Sequence, residues 1–374
     1  MKIGIEAQRI FRKKKHGMDI VILEALKQMQ NISSENFYVY AQDDEDRPEL
    51  HQSENFNLRI TRPSPYPLWE QRTLPKLCKE DKIDLLHTTS NTGPISLKVP
   101  LVVTIHDIIY LEKWLLTEGS YYQRFGALYR RWNVPIIAKK AQMIITVSDY
   151  ERERIISALK IPEKKVRTIY NACGSHFSPS DDKIMLDAFK KKMNLPDRYI
   201  FFLGNTDPKK NLPNVMKALA VLHKKGKLNF VLVMPDFGKD ELLKLLKSQG
   251  NEFLIKNILL TGYIPNSELP NLYRLSMLFL YPSLRESFGI PILEAMACGT
   301  PVICSNTSAM PEVAGKGACY IDPENPDEIA ETILEVLENG ELRRNLIDYG
   351  IKRAAMFSWK KTAAEMLDLY NEVL

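Results

Sequence analysis

The chain has 374 residues, a net charge of +5, 45% hydrophobic and 26% charged residues. That is the composition of a soluble globular protein, and the length asks for two domains, since single cores rarely grow past about 250–300 residues. No apolar run approaches the ~18 residues of a membrane helix, and the five cysteines, odd in number and without a C-x-x-C, indicate neither a disulfide framework nor a zinc site.

The N-terminal MKIGIEAQRI has no apolar core of a signal peptide and reads as a first strand. Further strand-like runs follow in order: FYVYA (37–41), IDLLHTT (83–89), LVVTIHD (101–107) and MIITVS (143–148). A second series comprises YIFFLG (199–204), FVLVM (230–234), ILLTG (258–262), MLFLYPS (277–283) and PVICS (301–305). Several are apolar on every residue, as strands buried on both faces of a parallel sheet are. Amphipathic helical patterns such as 213–225 and 326–339 lie between them. Strand–helix alternation repeated twice predicts an α/β protein of two doubly wound, Rossmann-like domains.

The polar, turn-rich NACGSHFSPSDDK (171–183) separates the two series, which places domains at 1–178 and 179–357. Residues 358–374 form one more helical pattern whose apolar positions need a surface to cover. Residues 1–178 hold 27 Lys+Arg against 21 Asp+Glu, and the rest 24 against 25. A basic first half suits a membrane surface, a phosphorylated acceptor or nucleic acid, or is simply a solvated face. Within it, residues 117–140 mix aromatics and arginines around YYQRFGALYRRW.

No G-x-G-x-x-G follows a strand, and there is no P-loop, H-E-x-x-H or G-x-S-x-G. Asp44-Glu45-Asp46 sits in a solvated acidic loop and reads poorly as a metal site, so no metal ligands are expected. The informative stretch is RESFGIPILEAMACGTPVICS (285–305). MLFLYPS ends at Pro282, so Glu286 falls beyond a strand's carboxyl end, on the ligand side of a doubly wound sheet. Pro291 suits the first turn and Gly299 the C′ position of a helix over 291–298. Phe288 and Gly289 then lie at a helix N-terminus whose free N–H groups suit phosphate. Glu294 falls about one turn inside, where a carboxylate answers the helix dipole or grips a vicinal diol. Two such acceptors around a phosphate-binding helix end fit a nucleotide sugar.

The stretch ESFGIPILEAMACGTPVI resembles the E-x7-E signature of retaining glycosyltransferase family 4 (glycosyl transferases group 1, GT-B fold), in its mannosyltransferase-like branch. LGNTDPKKNLPNVMKALA (203–220) is similar to the family's phosphate-binding loop. VVTIHDIIYLEK (102–113), ITVSDYERERI (145–155) and TGYIPNSELPNLYRLSMLFLYPS (261–283) resemble further family segments. The resemblance covers most of the chain. It implies two Rossmann-like domains facing a cleft, the first on the acceptor side and the second binding the nucleotide sugar. It also implies that the helix 358–374 packs back on the first domain.

The resemblance implies catalytic roles for His106 and Glu286. Glu286 would bond hydroxyls of the donor sugar, and His106 would sit beside that sugar and help place the acceptor. Ser287, Phe288 and Gly289 would hold the donor, Glu294 the ribose, and Lys210 the leaving diphosphate. Asn205, Lys209, Tyr263 and, from the first domain, Gly17 complete the donor-binding set. The sequence departs from the family pattern at Asn205, where an Arg is usual, so Lys209 is expected to supply the second charge. It departs again in RKKKHGMD (12–19), with one glycine, and in YNACG at the interdomain segment.

The implied reaction moves a hexosyl unit from GDP-mannose or a UDP-hexose to a saccharide or lipid-linked saccharide, with retention. It would need neither cofactor nor metal, since lysine charge and a helix end stabilise the diphosphate. Polysaccharide or glycolipid synthesis at the cytoplasmic face is the implied setting. Arg12-Lys13-Lys14-Lys15 and residues 121–132 are the candidates for peripheral contact with anionic lipid, and no nucleic-acid partner is expected. The alternatives are another GT-B enzyme, such as a sugar-nucleotide epimerase or hydrolase, and a non-catalytic nucleotide-sugar-binding relative.

Overall fold

A computed structural model of the chain describes residues 1–13, 17–45, 50, 52–111, 121–204, 207–235 and 237–374, with backbone alone at 121–124. It divides into two units, Met1–Asn171 with Ser358–Leu374, and Ala172–Phe357.

The first unit is built on a seven-stranded parallel sheet in the order β3-β2-β1-β4-β5-β6-β7. Its strands are β1 (Lys2–Glu6), β2 (Asn36–Gln42), β3 (Phe56–Thr61), β4 (Leu85–Thr88), β5 (Leu101–Thr104), β6 (Met143–Thr146) and β7 (Val166–Thr168). The central strands β4 and β5 are buried at every residue, because helices cover both faces. The edge strands β3 and β7 are only partly buried. One face carries the helix Gly17–Ile32 together with the last helix of the chain, Trp359–Val373. Ser358 caps that last helix, its hydroxyl accepting from the Lys361 N–H. Ala363, Met366, Leu369 and Tyr370 bury in the core of the first unit.

The second unit has a six-stranded parallel sheet in the order β10-β9-β8-β11-β12-β13. The strands are β8 (Tyr199–Phe202), β9 (Val231–Pro235), β10 (Ile258–Gly262), β11 (Phe279–Tyr281), β12 (Val302–Ser305) and β13 (Ala318–Ile321). Both sheets start in the middle, run outward to one edge, and return to the middle to run outward the other way. That is the doubly wound α/β architecture expected from the apolar runs. Each sheet therefore has one place where strand order reverses, between β1 and β4 and between β8 and β11, and there the loops diverge to leave room for a ligand.

The helix at the signature runs Ile290–Ala297, with Pro291 in its first turn. Gly289 caps it at φ 105°, a conformation that only glycine adopts cheaply. Gly299 follows it at φ 75° as the C′ residue.

Candidate active site

The reversal point of the second sheet gathers the charged groups of the signature. The loop after β8 carries Lys209 and Lys210 in the 3-10 turn Pro208–Lys210. Asp207 shapes that turn, its Oδ1 accepting from the Lys209 N–H at 3.0 Å. Gly204 is required in the same loop, since a Cβ there would collide with the Phe202 ring. The loop after β11 carries Glu286. Lys210 Nζ donates to Glu286 Oε1 at 2.7 Å and to the Tyr281 hydroxyl at 2.9 Å. The ammonium also lies 4.7 Å from the Tyr281 ring centroid. Both members of the ion pair are nearly buried, with side chains 13% and 12% exposed. Burial pushes the Glu286 carboxyl up, but the charges of Lys210 and Lys209 and hydrogen bonds from Lys210 and Tyr281 outweigh it and hold it below its usual value.

The second glutamate is tuned the opposite way. Tyr273, itself buried, donates its hydroxyl to Glu294 Oε2 at 2.9 Å. Burial pushes the Glu294 carboxyl up to about 7 against the lowering effect of that hydrogen bond. The two carboxylates therefore differ in charge near neutrality. Glu286 is an anion paired with lysine, and Glu294 is pushed up by burial to about 7. Phe288 is buried, its ring edge-on to Phe357, while Ser287 is half-buried. The Glu286 N–H donates to Ser308 Oγ at 3.0 Å, so the loop after β12 braces the loop after β11. Lys209 is more exposed than Lys210 and lies 3.9 Å from Asp207.

Tyr263 follows β10 at the sheet's edge and is exposed. Asn205 lies outside the described residues, as do Lys14 and Lys15. Gly17 opens the first helix of the first unit, and a Cβ there would meet nothing within 4 Å. His106 follows β5 in the first unit and is buried. Its Nε2–H donates to the Thr89 carbonyl at 2.9 Å, which leaves Nδ1 unprotonated. Burial lowers its pKa, against the Thr89 hydrogen bond and the Asp107 charge, so the ring is neutral.

Sequence reasoning overlooked Tyr281, Tyr273 and Ser308, which hold Lys210, Glu294 and the Glu286 loop. Tyr281 was findable, because it ends the strand that delivers Glu286. Asn211 stands at the N-cap of the helix Leu212–Lys224, but its side chain makes no capping hydrogen bond. Instead, at φ 62°, its Nδ2 donates to the carbonyls of Pro282 (3.0 Å) and Pro323 (2.6 Å), tying the loops after β11 and β13 to the lysine turn. Among the described residues, no cluster of three or more His, Cys, Asp or Glu is placed to hold a metal ion.

Solved structures share this fold over nearly the whole chain. Anabaena HepE in complex with UDP superposes with a TM-score of 0.75 at 17% identity, covering 100% of both chains. WaaG, a glycosyltransferase involved in lipopolysaccharide biosynthesis, gives 0.73 at 15% identity, covering 98% and 99%. The fold is that of the GT-B glycosyltransferases. The profile "Glycosyltransferase Family 4" matches residues 16–173, and "Glycosyl transferases group 1" matches residues 185–353. The chain belongs to this family and is a glycosyltransferase. O-antigen chain mannosyltransferase B of Escherichia coli is 31% identical over 273 residues, 72% of this chain and 70% of that protein. The serotype-specific mannosyltransferase WbdA of Escherichia coli is 29% identical over 242 residues, 63% of this chain but only 29% of that longer protein.

Proposed function

We propose that the chain transfers a mannosyl unit, with retention, from GDP-mannose to a saccharide or lipid-linked saccharide of a surface polysaccharide. The observation that carries this reading is the Lys210–Glu286 pair, 2.7 Å apart at the strand-order reversal of the second sheet. The second unit binds the donor. Lys210, with Lys209, takes the charge of the departing diphosphate, together with the N–H groups that Gly289 leaves open at the helix start. Glu286 binds hydroxyls of the transferred sugar and Glu294 those of the ribose. His106 of the first unit is assigned to the acceptor. Similarity to O-antigen mannosyltransferase B supports mannose, while the UDP complex of HepE makes a UDP-hexose the second donor to test. Thermal shift with GDP-mannose and UDP-glucose decides the nucleotide, since ligand at 100 times its Kd adds about 2.7 kcal/mol. Stabilisation by UDP-glucose and not by GDP-mannose would replace the donor named here.

The two glutamates should separate in their effects. Glu286→Gln lowers kcat more than it changes affinity for free GDP, because the ligand groups assigned to it are hydroxyls of the transferred sugar, which GDP lacks. Glu294→Gln weakens free GDP by about 1–3 kcal/mol. The wild type should also bind GDP more tightly at pH 8 than at pH 6, beyond the change seen in Glu294→Gln. Below about 7 the Glu294 carboxyl is protonated and loses acceptor capacity for the diol; above it the carboxylate is complete. Calorimetry across this pH range checks both points. Equal GDP losses in the two variants would reject the division.

Activity is expected to persist in EDTA, since lysine and backbone N–H groups meet the diphosphate. A rate that collapses in EDTA and returns with magnesium or manganese would place a metal on the diphosphate instead.

Among the described residues no helix is long and apolar enough to cross a membrane. The first unit nevertheless carries an exposed apolar stripe on the helix Tyr121–Lys140. Phe125, Leu128, Trp132 and Ile136 are 62%, 56%, 54% and 37% exposed and share one helix face. We assign this face, with the exposed Lys139 on it, to the surface of an anionic bilayer. Arg131 is a poor test residue, because its Nε donates to the Tyr110 carbonyl at 2.7 Å. Phe125→Ser with Trp132→Ser should abolish sedimentation with phosphatidylglycerol-containing vesicles, and 1 M salt should weaken it in the wild type. Wild-type protein that stays in the supernatant at low salt would return the acceptor to solution.

A further inference from the structure

The first sheet has its own reversal point, between β1 and β4, and a polar network that the donor chemistry does not use is built there. Its centre is Glu70, fully buried in the π-helical turn Trp69–Thr73. Single π turns occur often at functional sites. The carboxylate accepts from the Tyr66 hydroxyl at 2.6 Å, Thr92 Oγ1 at 2.6 Å, Gln71 Nε2 at 3.1 Å and the Tyr129 hydroxyl. Thr92 comes from the loop after β4, Tyr66 from the segment after β3, and Tyr129 from the helix Tyr121–Lys140. Among the described residues, all hydrogen-bond partners of Glu70 are neutral.

Two half-buried phenols line the outer side, their rings edge to face at 6.2 Å. Arg9, from the loop after β1, lays its guanidinium 5.0 Å from the Tyr66 centroid, and its Nε is buried without a hydrogen-bond partner. Tyr129 also accepts from Gln71 Nε2 at 2.8 Å, and the Tyr66 and Thr92 hydroxyls share a hydrogen bond of 2.5 Å, so each phenol oxygen keeps at most one lone pair for a ligand, and Arg9 offers donors. Alternating acceptors and donors beside aromatic rings fit the hydroxyls and C–H faces of a sugar. The charges argue against an anionic ligand. Glu6 at the end of β1 and Glu70 are both buried and their charges act on each other, and Asp107 and Asp19 act on His106.

We propose that Tyr66, Tyr129 and Arg9 form a subsite for a neutral acceptor saccharide, with Glu70 as the residue that positions both phenols. The proposal rests on the glycosyl-transfer reading and names the acceptor side of it. Saturation-transfer NMR with the full chain and three probes, methyl α-D-mannoside, methyl α-D-glucoside and methyl α-D-galactoside, tests it without any turnover. At least one should give a signal with the wild type. Tyr66→Phe with Tyr129→Phe, which keeps both rings, should weaken it at least tenfold and leave GDP affinity unchanged. Should the double variant fail to fold, Tyr129→Phe alone should weaken it at least threefold. In turnover assays Glu70→Gln should raise acceptor KM about tenfold with donor KM unchanged, a split that mere loss of stability would not produce. No signal from any glycoside with the wild type, or equal signals in wild type and phenol variants, would overturn the subsite. GDP binding without glycoside binding would leave the donor reading standing, and glycoside binding without turnover of any donor would fault that reading alone.

Discussion

Lys210→Ala is expected to lower kcat by about 10²- to 10³-fold, the loss typical when one preorganised group aimed at developing negative charge is removed. Two effects combine. The ammonium proposed to meet the leaving diphosphate disappears, and Glu286 loses the lysine that donates to it at 2.7 Å. In the free protein the second effect is also a stability effect. Glu286 is held below the usual carboxylate range, so its pairing contributes stability above the unfolded Glu value, and that contribution is lost as pH falls through the folded value. Breaking a nearly buried pair from one side costs about 3–5 kcal/mol, because a buried charge is left behind. The variant's melting temperature should therefore fall most at neutral pH and converge on the wild type in acid. Adding Glu286→Gln should restore part of the stability but none of the rate. A double variant that recovered the rate would show that Lys210 serves the pair and not the diphosphate.

Tyr370→Ala is expected to destabilise the first unit by about 3–5 kcal/mol, as truncation of a fully buried aromatic does. The ring fills the core beneath β1 and β4, and its hydroxyl meets His87 Nδ1 at 2.7 Å. His87 Nε2 meets Thr104 Oγ1 at 2.8 Å, so one buried imidazole joins the chain's last helix to β4 and β5. Burial, with a smaller effect of His106, lowers the His87 pKa to about 3. The unfolded chain takes up a proton near 6.5 where the folded one does not, so this site loses stability as pH falls from about 6.5 toward 3. Tyr370→Phe should cost about 1–3 kcal/mol by stranding the imidazole. Denaturant melts of the three proteins check the order. A Tyr370→Ala variant as stable as the wild type would mean the last helix adds little to that core.

The sequence disclosed the interior of both sheets and, of their four edge strands, only β10, whose ILLTG keeps an apolar run. The runs LVVTIHD and YIFFLG are apolar throughout because β5 and β8 are covered on both faces. The overlooked strands β3, β7 and β13 all stand at sheet edges. There FNLRIT, VRT and ACYI need only partial burial, and Asn57, Arg59 and Arg167 break the apolar signal. The lysine turn and the signature helix were legible because glycine and proline punctuate them. The Tyr281–Lys210 and Tyr273–Glu294 contacts were not, since they join residues 71 and 21 positions apart through the packing of neighbouring strands and helices. Nor did the acidic and phenolic residues around Glu70 form a motif. Their adjacency follows only from the reversal of strand order.

The discontinuity of the first unit bears on how the protein is made. A ribosome delivers residues 1–171 first, but the core they form lacks Ala363, Met366, Leu369 and Tyr370 until the final helix has been synthesised. The second unit is contiguous, so all of its sequence has been added before that helix exists. The unit begun first thus still waits for a segment made after the whole of the second unit, and during translation its apolar surface over β1 and β4 stays uncovered until the helix Trp359–Val373 emerges.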